Sequence, residues 1–486
     1  MPFSLRKGFL HLFSASILGK AISFLLNISL SRFLGASSLG LYALALNAIQ
    51  SFDLFTKLGL DYGLSLELTA NSQTTSSSQA SDFEIKVINQ SLSLIVISSL
   101  VGICGFGLWL IPGEAYLPHS LVNQRILVSV LLLFACFLES INSFLWDILI
   151  AKALTKRYSV RAGIVAPLKI AFYAYGFYLA GTVGAFSLLA ISSLVSLYIL
   201  LRLLPHRLGA SFRFGINLAL CKELLPRGKS LYFANTVNAL VFLPLWSSLA
   251  STSGLTSVGY LRIGQLMVQL FSLVPSALMP AYFLKLRLTG FSSDKESSFG
   301  SQASFLSKSS SIAWTVGLAL LSSYFLIDKS LTNFLFGQEF ADSITTTRIF
   351  LISSIFESVS GFYQTFYLAS EMPFVYLLAQ LLPNFIIVLI FISTMPLFGL
   401  KIFLGLKLLS SSLPLIIYMF SLPKNLTNSL GNIFISLALC FASLLPSALE
   451  QVYFFTVIFS FFFSSLLLVN SYRAGNLKNL FGAKYW

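Results

Sequence analysis

Charge is what this sequence has least of. Of its 486 residues only 10% are Asp, Glu, Lys or Arg, whereas 56% are hydrophobic and the mean hydropathy is +0.84. A soluble globular protein carries roughly 25% charged residues, so an ordinary soluble domain is excluded. No Gly-rich phosphate loop and no nucleophile–base motif occurs, and the polar connections are too short for an ATPase or glycosyltransferase domain. The expectation is therefore a protein that is not an enzyme and needs no cofactor. Cysteine is as sparse: Cys104, Cys136, Cys221 and Cys440 stand singly, without metal-ligand spacing, and read as small apolar packing residues. The three histidines, His11, His119 and His206, lie too far apart in sequence to suggest a metal site. Acidic residues number 17 against 31 basic ones, a formal net charge of +14. Such an excess could mean nucleic acid, but its position in the chain argues for a membrane instead, and no nucleic-acid partner is expected.

What is abundant is long apolar runs. They are too long for barrel strands, and a helical span needs about 20 apolar residues. Fourteen candidate spans emerge, roughly 8–34, 38–64, 87–111, 125–150, 160–180, 183–204, 230–250, 258–284, 309–328, 345–369, 372–395, 399–421, 430–449 and 452–470. The fold class is thus an all-α polytopic membrane protein. The first apolar run is of span length and is followed by Arg32 rather than by a small-residue cleavage site, so no cleavable signal peptide is expected. Segments 65–86 and 286–308 are Ser-rich and read as flexible linkers. Segment 205–229 is basic with spaced apolar residues and reads as an interfacial connector. The organisation expected is an N-terminal lobe (1–204, spans 1–6), the connector (205–229), a C-terminal lobe (230–423, spans 7–12), and spans 13–14 with a tail (424–486).

With the N-terminus placed in the cytoplasm, 21 of the 31 basic residues fall at cytoplasmic ends or loops. This is the positive-inside bias, and it predicts that both termini are cytoplasmic. A weak repeat runs through the chain at an offset of 218 residues, pairing Tyr42 with Tyr260, Glu139 with Glu357, Phe144 with Phe362 and Gly181 with Gly399. Six spans per half give a parallel repeat, related by an axis along the membrane normal.

Ionisable residues sit where lipid-facing helices should have none. A charge near the bilayer centre costs about 2.5–3.5 kcal/mol on insertion scales, so such residues usually face a bundle interior or a wet cavity. In span 1, Ser16, Lys20, Ser23 and Asn27 share a face. In span 2, Asp53, Lys57 and Asp61 step down one face at i, i+4 and i+8. Span 4 carries Glu139, Ser143 and Asp147, span 10 carries Glu357, Gly361 and Gln364, and span 8 carries Arg262, Gln265 and Gln269. Lys169 follows Pro167 in span 5, and Asn235 precedes Pro244 in span 7. Asp53 and Lys57 read equally as a structural pair or as functional groups. Lys20, Lys169 and Arg262 have no residue of opposite sign within one helical turn along the sequence, which favours function. Glu139 and Glu357, at matching repeat positions, read at least as well as packing residues. Arg32, Arg125, Arg348, Lys401 and Lys407 lie near span ends, where snorkelling is the expectation.

The run LSRFLGASSLGLYALALNAIQSFDLFTKLGLDYGL resembles the first helical hairpin of polysaccharide-type transporters, with R-x-L-G-x-x-x-x-G-x-Y followed by L-G-L. GLTSVGYLRIGQLMVQLFSLVPSALMPAYF looks like the matching hairpin of the second half, and FLFGQEFADSITTTRIFLISSIFESVSGFYQTFYLASEMP resembles the region around spans 9 and 10. These are the Wzx-type flippases of lipid-linked oligosaccharides, in the multidrug/oligosaccharidyl-lipid/polysaccharide exporter superfamily; the resemblance covers residues 5 to 420. It implies two six-helix pseudo-symmetric lobes in a V around a central cavity, plus two extra C-terminal helices. It implies a substrate of oligosaccharide on polyprenyl pyrophosphate, carried across the bacterial cytoplasmic membrane. The polysaccharide polymerase and chain-length machinery are the partners this suggests, beside membrane lipids. Lys20, Lys57, Lys169 and Arg262 would then meet the pyrophosphate, since Lys and Arg suit phosphate. Asp53, Asp61, Glu139 and Glu357 would bind a coupling cation or pair those bases, with Asn27, Asn235, Gln265 and Gln269 as polar cavity groups and no metal. Gly35, Gly40, Gly59 and Gly259 would be turn and close-packing residues.

Three other readings compete. A peptidoglycan-precursor flippase also has fourteen spans, but the first hairpin lacks the G-x-x-R-D signature expected of one. A drug/cation antiporter usually has twelve spans and a less basic cavity. A non-transporting scaffold would gain nothing from charges buried in helices.

Overall fold

The computed structural model describes residues 5–60, 77–110, 124–151, 154–204, 215, 218–272, 279, 295–369, 373–394 and 399–421. Spans 13 and 14 and the tail lie outside the described residues, as does Asp61. The described residues form ten α-helices, one π-helical turn and one 3-10 turn, with no strand among them. In chain order the helices are α1 (Leu5–Thr56), α2 (Ser77–Leu110), α3 (Arg125–Ala151), α4 (Thr155–Val160), α5 (Ala166–Leu203), α6 (Leu218–Phe271), α7 (Lys295–Phe336), α8 (Ser343–Ala369), α9 (Pro373–Thr394) and α10 (Leu400–Phe420). The π turn Arg161–Val165 joins α4 to α5, just ahead of Pro167, which sits in the first turn of α5 where its missing N–H is harmless.

Three of these helices are each two spans joined at an elbow. α1 bends at Gly35 (φ 73°, ψ 175°), α5 at Ala180 and Gly181 (φ 59°), and α6 at Gly254 (φ 78°, ψ 165°). Gly35 and Gly254 adopt nearly the same backbone conformation, one that L side chains rarely reach and that glycine takes without steric cost. The limb after Gly35, residues 36–56, is about 31 Å long at 1.5 Å per residue, enough to cross a hydrocarbon core of about 30 Å. The elbows fall where the sequence predicts the breaks between spans 1 and 2, 5 and 6, and 7 and 8. Together with α2, α3 and α7–α10 the limbs account for spans 1–12. The chain is an all-α, polytopic membrane protein.

The structure departs from the sequence reading in four places. α2 starts at Ser77, so the second half of the Ser-rich segment 65–86 is helical. α7 starts at Lys295, inside the other Ser-rich segment, and residues 218–229 of the expected connector are the first turns of α6. Serine costs a helix only a few tenths of a kcal/mol per residue, and the run LALCKELL is made of good helix formers. The helix of span 2 is also interrupted earlier than the apolar run suggests. α1 ends at Thr56, Leu58 (φ 55°) and Gly59 (φ 69°) are left-handed, and the Leu60 N–H donates to the Lys57 carbonyl. Asp53 and Lys57 keep one face, and α1 stops just before Lys57.

The chain divides into two compact units, residues 1–259 and 260–486. In the first, α3 packs on α1, α2 and α5. Its buried Phe144, Leu145, Trp146, Ile148 and Leu149 meet Leu60, Val87, Ile95, Val165 and Leu200. Here the α6 segment after Gly254 also lies against α1. A Cβ on Gly40 would strike the Leu255 carbonyl, and one on Gly259 would strike the Ala36 carbonyl, so the two backbones cross in contact. In the second unit α8 is the central helix, packed on α7 and α10. Tyr367 and Tyr418 stack with centroids 5.4 Å apart, and the Tyr367 hydroxyl donates to the Tyr418 carbonyl at 3.0 Å. Lipid tails are as apolar as leucine, so apolar burial alone does not hold such helices together. Close packing and interhelical polar bonds do.

Candidate functional site

Those polar bonds concentrate along one stripe of α3. Glu139, Ser143 and Asp147 recur every four residues and therefore share a face. The stripe lies against the end of α1, the π turn and α5, and each of these supplies a cation. Lys57, just past the end of α1, places its Nζ 2.8 Å from Asp147 Oδ2 and 3.3 Å from Asp53 Oδ2, bridging two helices. Arg161 of the π turn reaches Ser143 Oγ at 3.3 Å and stands 3.9 Å from Asp147 Oδ1. Lys169 of α5 pairs with Glu139, whose second oxygen accepts a hydrogen bond from Ser193 Oγ at 3.2 Å. Three carboxylates thus meet three cations, and the cluster is formally neutral. Charges shielded from water need such compensation, because an unpaired one would cost several kcal/mol.

Hydroxyls tie the same helices together beside the charges. Thr56 and Ser140 share a hydrogen bond of 2.5 Å, Ser99 of α2 donates to Ser140 at 3.2 Å, and Ser98 donates to the Thr56 carbonyl. Asn142 donates to the Ser193 carbonyl at 2.8 Å, joining α3 to α5. Thr56 sits at the last turn of α1, so its carbonyl has no partner further along the helix; Ser98 satisfies it.

The structure therefore brings Asp53, Lys57, Glu139 and Lys169 into one network. Lys169 lacks a counter-charge nearby in sequence but finds Glu139 thirty residues away on another helix. The sequence left Asp147 within a stripe and did not single out Arg161; both belong to the network. Asn27 is buried and spends its amide on the Ser23 carbonyl of its own helix, at 2.7 Å. Lys20 and Asn235 are half-buried on α1 and α6. Arg262 and Glu357 lie in the second unit. Arg262 is buried and donates to Gln265 Oε1 at 3.2 Å, while Gln269 is half-buried one turn on.

The second unit holds its own ion pairs. Arg348 meets Asp328 at 2.5 Å, and Lys407 meets Glu357 at 2.5 Å. These correct the snorkelling expectation for Arg348 and Lys407, whose charges end on carboxylates of neighbouring helices. Phe325 lies under the Arg348 guanidinium and Phe350 under the Lys407 ammonium. Glu139 and Glu357, matched in the repeat, each hold a lysine from another helix. Among the described residues no group of His, Cys, Asp and Glu could hold a metal ion.

At the sequence level no known family and no curated protein matches the chain. At the level of structure the likeness is extensive. An inward-facing multidrug resistance MATE family transporter of the MOP superfamily aligns over 86% of this chain and 95% of its own, with TM-score 0.60 and 14% identity. An outward-facing conformation of such a transporter aligns over 90% and 97%, with TM-score 0.58 and 15% identity. A MOP superfamily transporter from Pyrococcus furiosus, described as having a binding pocket of reversed polarity, aligns over 92% and 98%, with TM-score 0.55 and 16% identity. The chain has the fold of MOP-superfamily membrane transporters.

Proposed function

We propose that this protein is a flippase for oligosaccharide repeat units linked to polyprenyl pyrophosphate. It carries them from the cytoplasmic to the outer leaflet of a bacterial cytoplasmic membrane by alternating access, with both termini in the cytoplasm and an ion gradient or the membrane potential as the driving force. The observation that carries this reading is the lysine pair Lys57 and Lys169. Lys57 at the end of α1 and Lys169 on α5 are held by carboxylates of α3 in bonds that an incoming anion can replace. A diphosphate offers more acceptor oxygens and more charge than one carboxylate, and lysine meets it as a point charge. Lys20 and Arg262 extend the same cationic character. Asp53, Glu139 and Asp147 hold the lysines when no substrate is bound, and a coupling cation can take their place on the acids when the lysines leave. Glu357 has the equivalent part in the second half. Asn27, Asn235, Gln265 and Gln269 serve the glycan, whose hydroxyls need donors and acceptors rather than charge.

The test is reconstitution. Proteoliposomes holding a fluorescent oligosaccharide on polyprenyl diphosphate should show protein-dependent movement between leaflets. Cells without the protein should accumulate that lipid on the cytoplasmic leaflet. Normal surface glycan after clean deletion, in a strain with no second flippase, would overturn the proposal. Multidrug/cation antiport is the second reading, and the similarity to multidrug MATE transporters favours it. Export of cationic drugs by the same proteoliposomes, without lipid movement, would select it.

A further inference from the structure

The ion pairs above neutralise Lys57, Arg161, Lys169, Arg348 and Lys407. Two arginines at one end of the first unit are treated differently. Arg157 of α4 donates from NH1 to the Leu203 carbonyl at 2.7 Å, and Arg202, on the neighbouring residue, lies over the Tyr198 ring at 5.3 Å. Both are exposed, and among the described residues neither is paired with a carboxylate. A carbonyl and an aromatic ring fix the two side chains in place and leave their charge intact. Two like charges held at the same helix end by neutral partners create a field that an anion completes.

The surface beneath them gives the anion its identity. On α5, Ile191, Leu194, Tyr198 and Leu201 are all exposed and follow one another at spacings of three and four, so they form one outward stripe that ends at Arg202. Ten residues of helix from Ile191 to Leu201 rise about 15 Å. That is half the hydrocarbon core of about 30 Å, the depth of one leaflet. A stripe one acyl chain long, headed by two guanidiniums, matches a single anionic phospholipid in length and is opposite to it in charge.

We infer that the α4 and α5 ends bind an anionic glycerophospholipid, its phosphate between Arg157 and Arg202 and one acyl chain along Ile191–Leu194–Tyr198–Leu201. The site belongs to the leaflet on the side of the basic loops. It is independent of the cargo, because neither arginine belongs to the ion-pair network. Basic residues at the interface each contribute about 1 kcal/mol toward anionic lipid. Two of them therefore make binding about 30-fold tighter, at about 1.4 kcal/mol per decade.

The full-length protein in nanodiscs of mixed phosphatidylglycerol and phosphatidylcholine, released gently into a native mass spectrometer, tests this. The wild type should retain phosphatidylglycerol over phosphatidylcholine. R157Q/R202Q should lose that preference by about 30-fold in lipid titration, and R157K/R202K should keep most of it. Should the double variant fail to insert, because Arg157 also holds the Leu203 carbonyl, R202Q alone should lose about fivefold. Equal retention of both lipids by the wild type, an unchanged preference in R202Q, or displacement of the lipid by millimolar inorganic phosphate would each overturn the assignment.

Discussion

The pair Lys169–Glu139 lends itself to a quantitative test, since its two partners can be neutralised separately and together. In K169M the Glu139 carboxylate keeps the Ser193 hydroxyl and the field of Arg161 but loses its direct ion pair; in E139Q the Lys169 ammonium loses its counter-charge. Removing one member of a fully buried ion pair costs about 3–5 kcal/mol. These side chains keep 18% and 15% of their exposure. Membrane helices also tolerate lost polar contacts better than soluble cores do. Each single variant should therefore lose about 2 kcal/mol. The double variant removes both charges and leaves only a repacking cost of about 1 kcal/mol, so the coupling is about 3 kcal/mol. Reversible unfolding of the purified protein in mixed micelles, read by tryptophan fluorescence, supplies the four free energies. A double variant no more stable than the sum of the singles would refute the pairing as a source of stability. The same four proteins separate structure from recognition. If Lys169 meets the lipid diphosphate, E139Q/K169M should be as stable as either single variant or more so, yet flip substrate at least tenfold more slowly than wild type. Full transport by the double variant would remove Lys169 from the substrate path.

Further outcomes follow from other contacts. K57A should slow transport while leaving membrane insertion intact, and the exchange D53K/K57D should restore it only if the two residues serve as a pair; quantitative blotting with the flipping assay checks both. G40V and G259V should abolish folded protein, judged by fluorescence-detected size exclusion, because the new side chains run into the Leu255 and Ala36 carbonyls. G254A meets open space and should cost only about 1–2 kcal/mol of backbone strain, seen as a modestly lower melting temperature. In the second unit K407M should cost less than about 1 kcal/mol in the same unfolding assay, because its partner Glu357 is 45% exposed.

The helices were legible because apolar runs of span length are visible in one dimension. The turn FLGASSLG marked the first elbow, and Gly35 bends there because its φ of 73° suits glycine. The span 4 stripe Glu139–Ser143–Asp147 was legible too, since periodicity puts residues on one face. Which cations meet that face was not. Lys169 and Arg161 reach it from segments whose approach depends on the π turn before Pro167, and local pattern does not fix that geometry. The end of span 2 misled for a simpler reason. A charge every fourth residue looks like a continuing helix, while the KLGL sequence, with Gly59 as the stop, carries the opposing signal. Asp328 and Arg348 went unmatched because they face each other across two helices rather than along one. Two acids, Asp328 and Glu357, inside spans that also hold Arg348, Lys401 and Lys407 were the available hint.

The elbows at Gly35, Gly181 and Gly254 have a consequence for how this protein meets its surroundings. Counting spans alternately puts all three on the membrane face opposite the basic loops. A connection of one or two residues is too short to form a loop, so at these corners a protease finds no extended strand to cut and an antibody finds no loop to grip. An epitope tag inserted there must break a helix to be displayed. Anything that recognises the protein at these three corners has to read the tips of helices and the lipid between them.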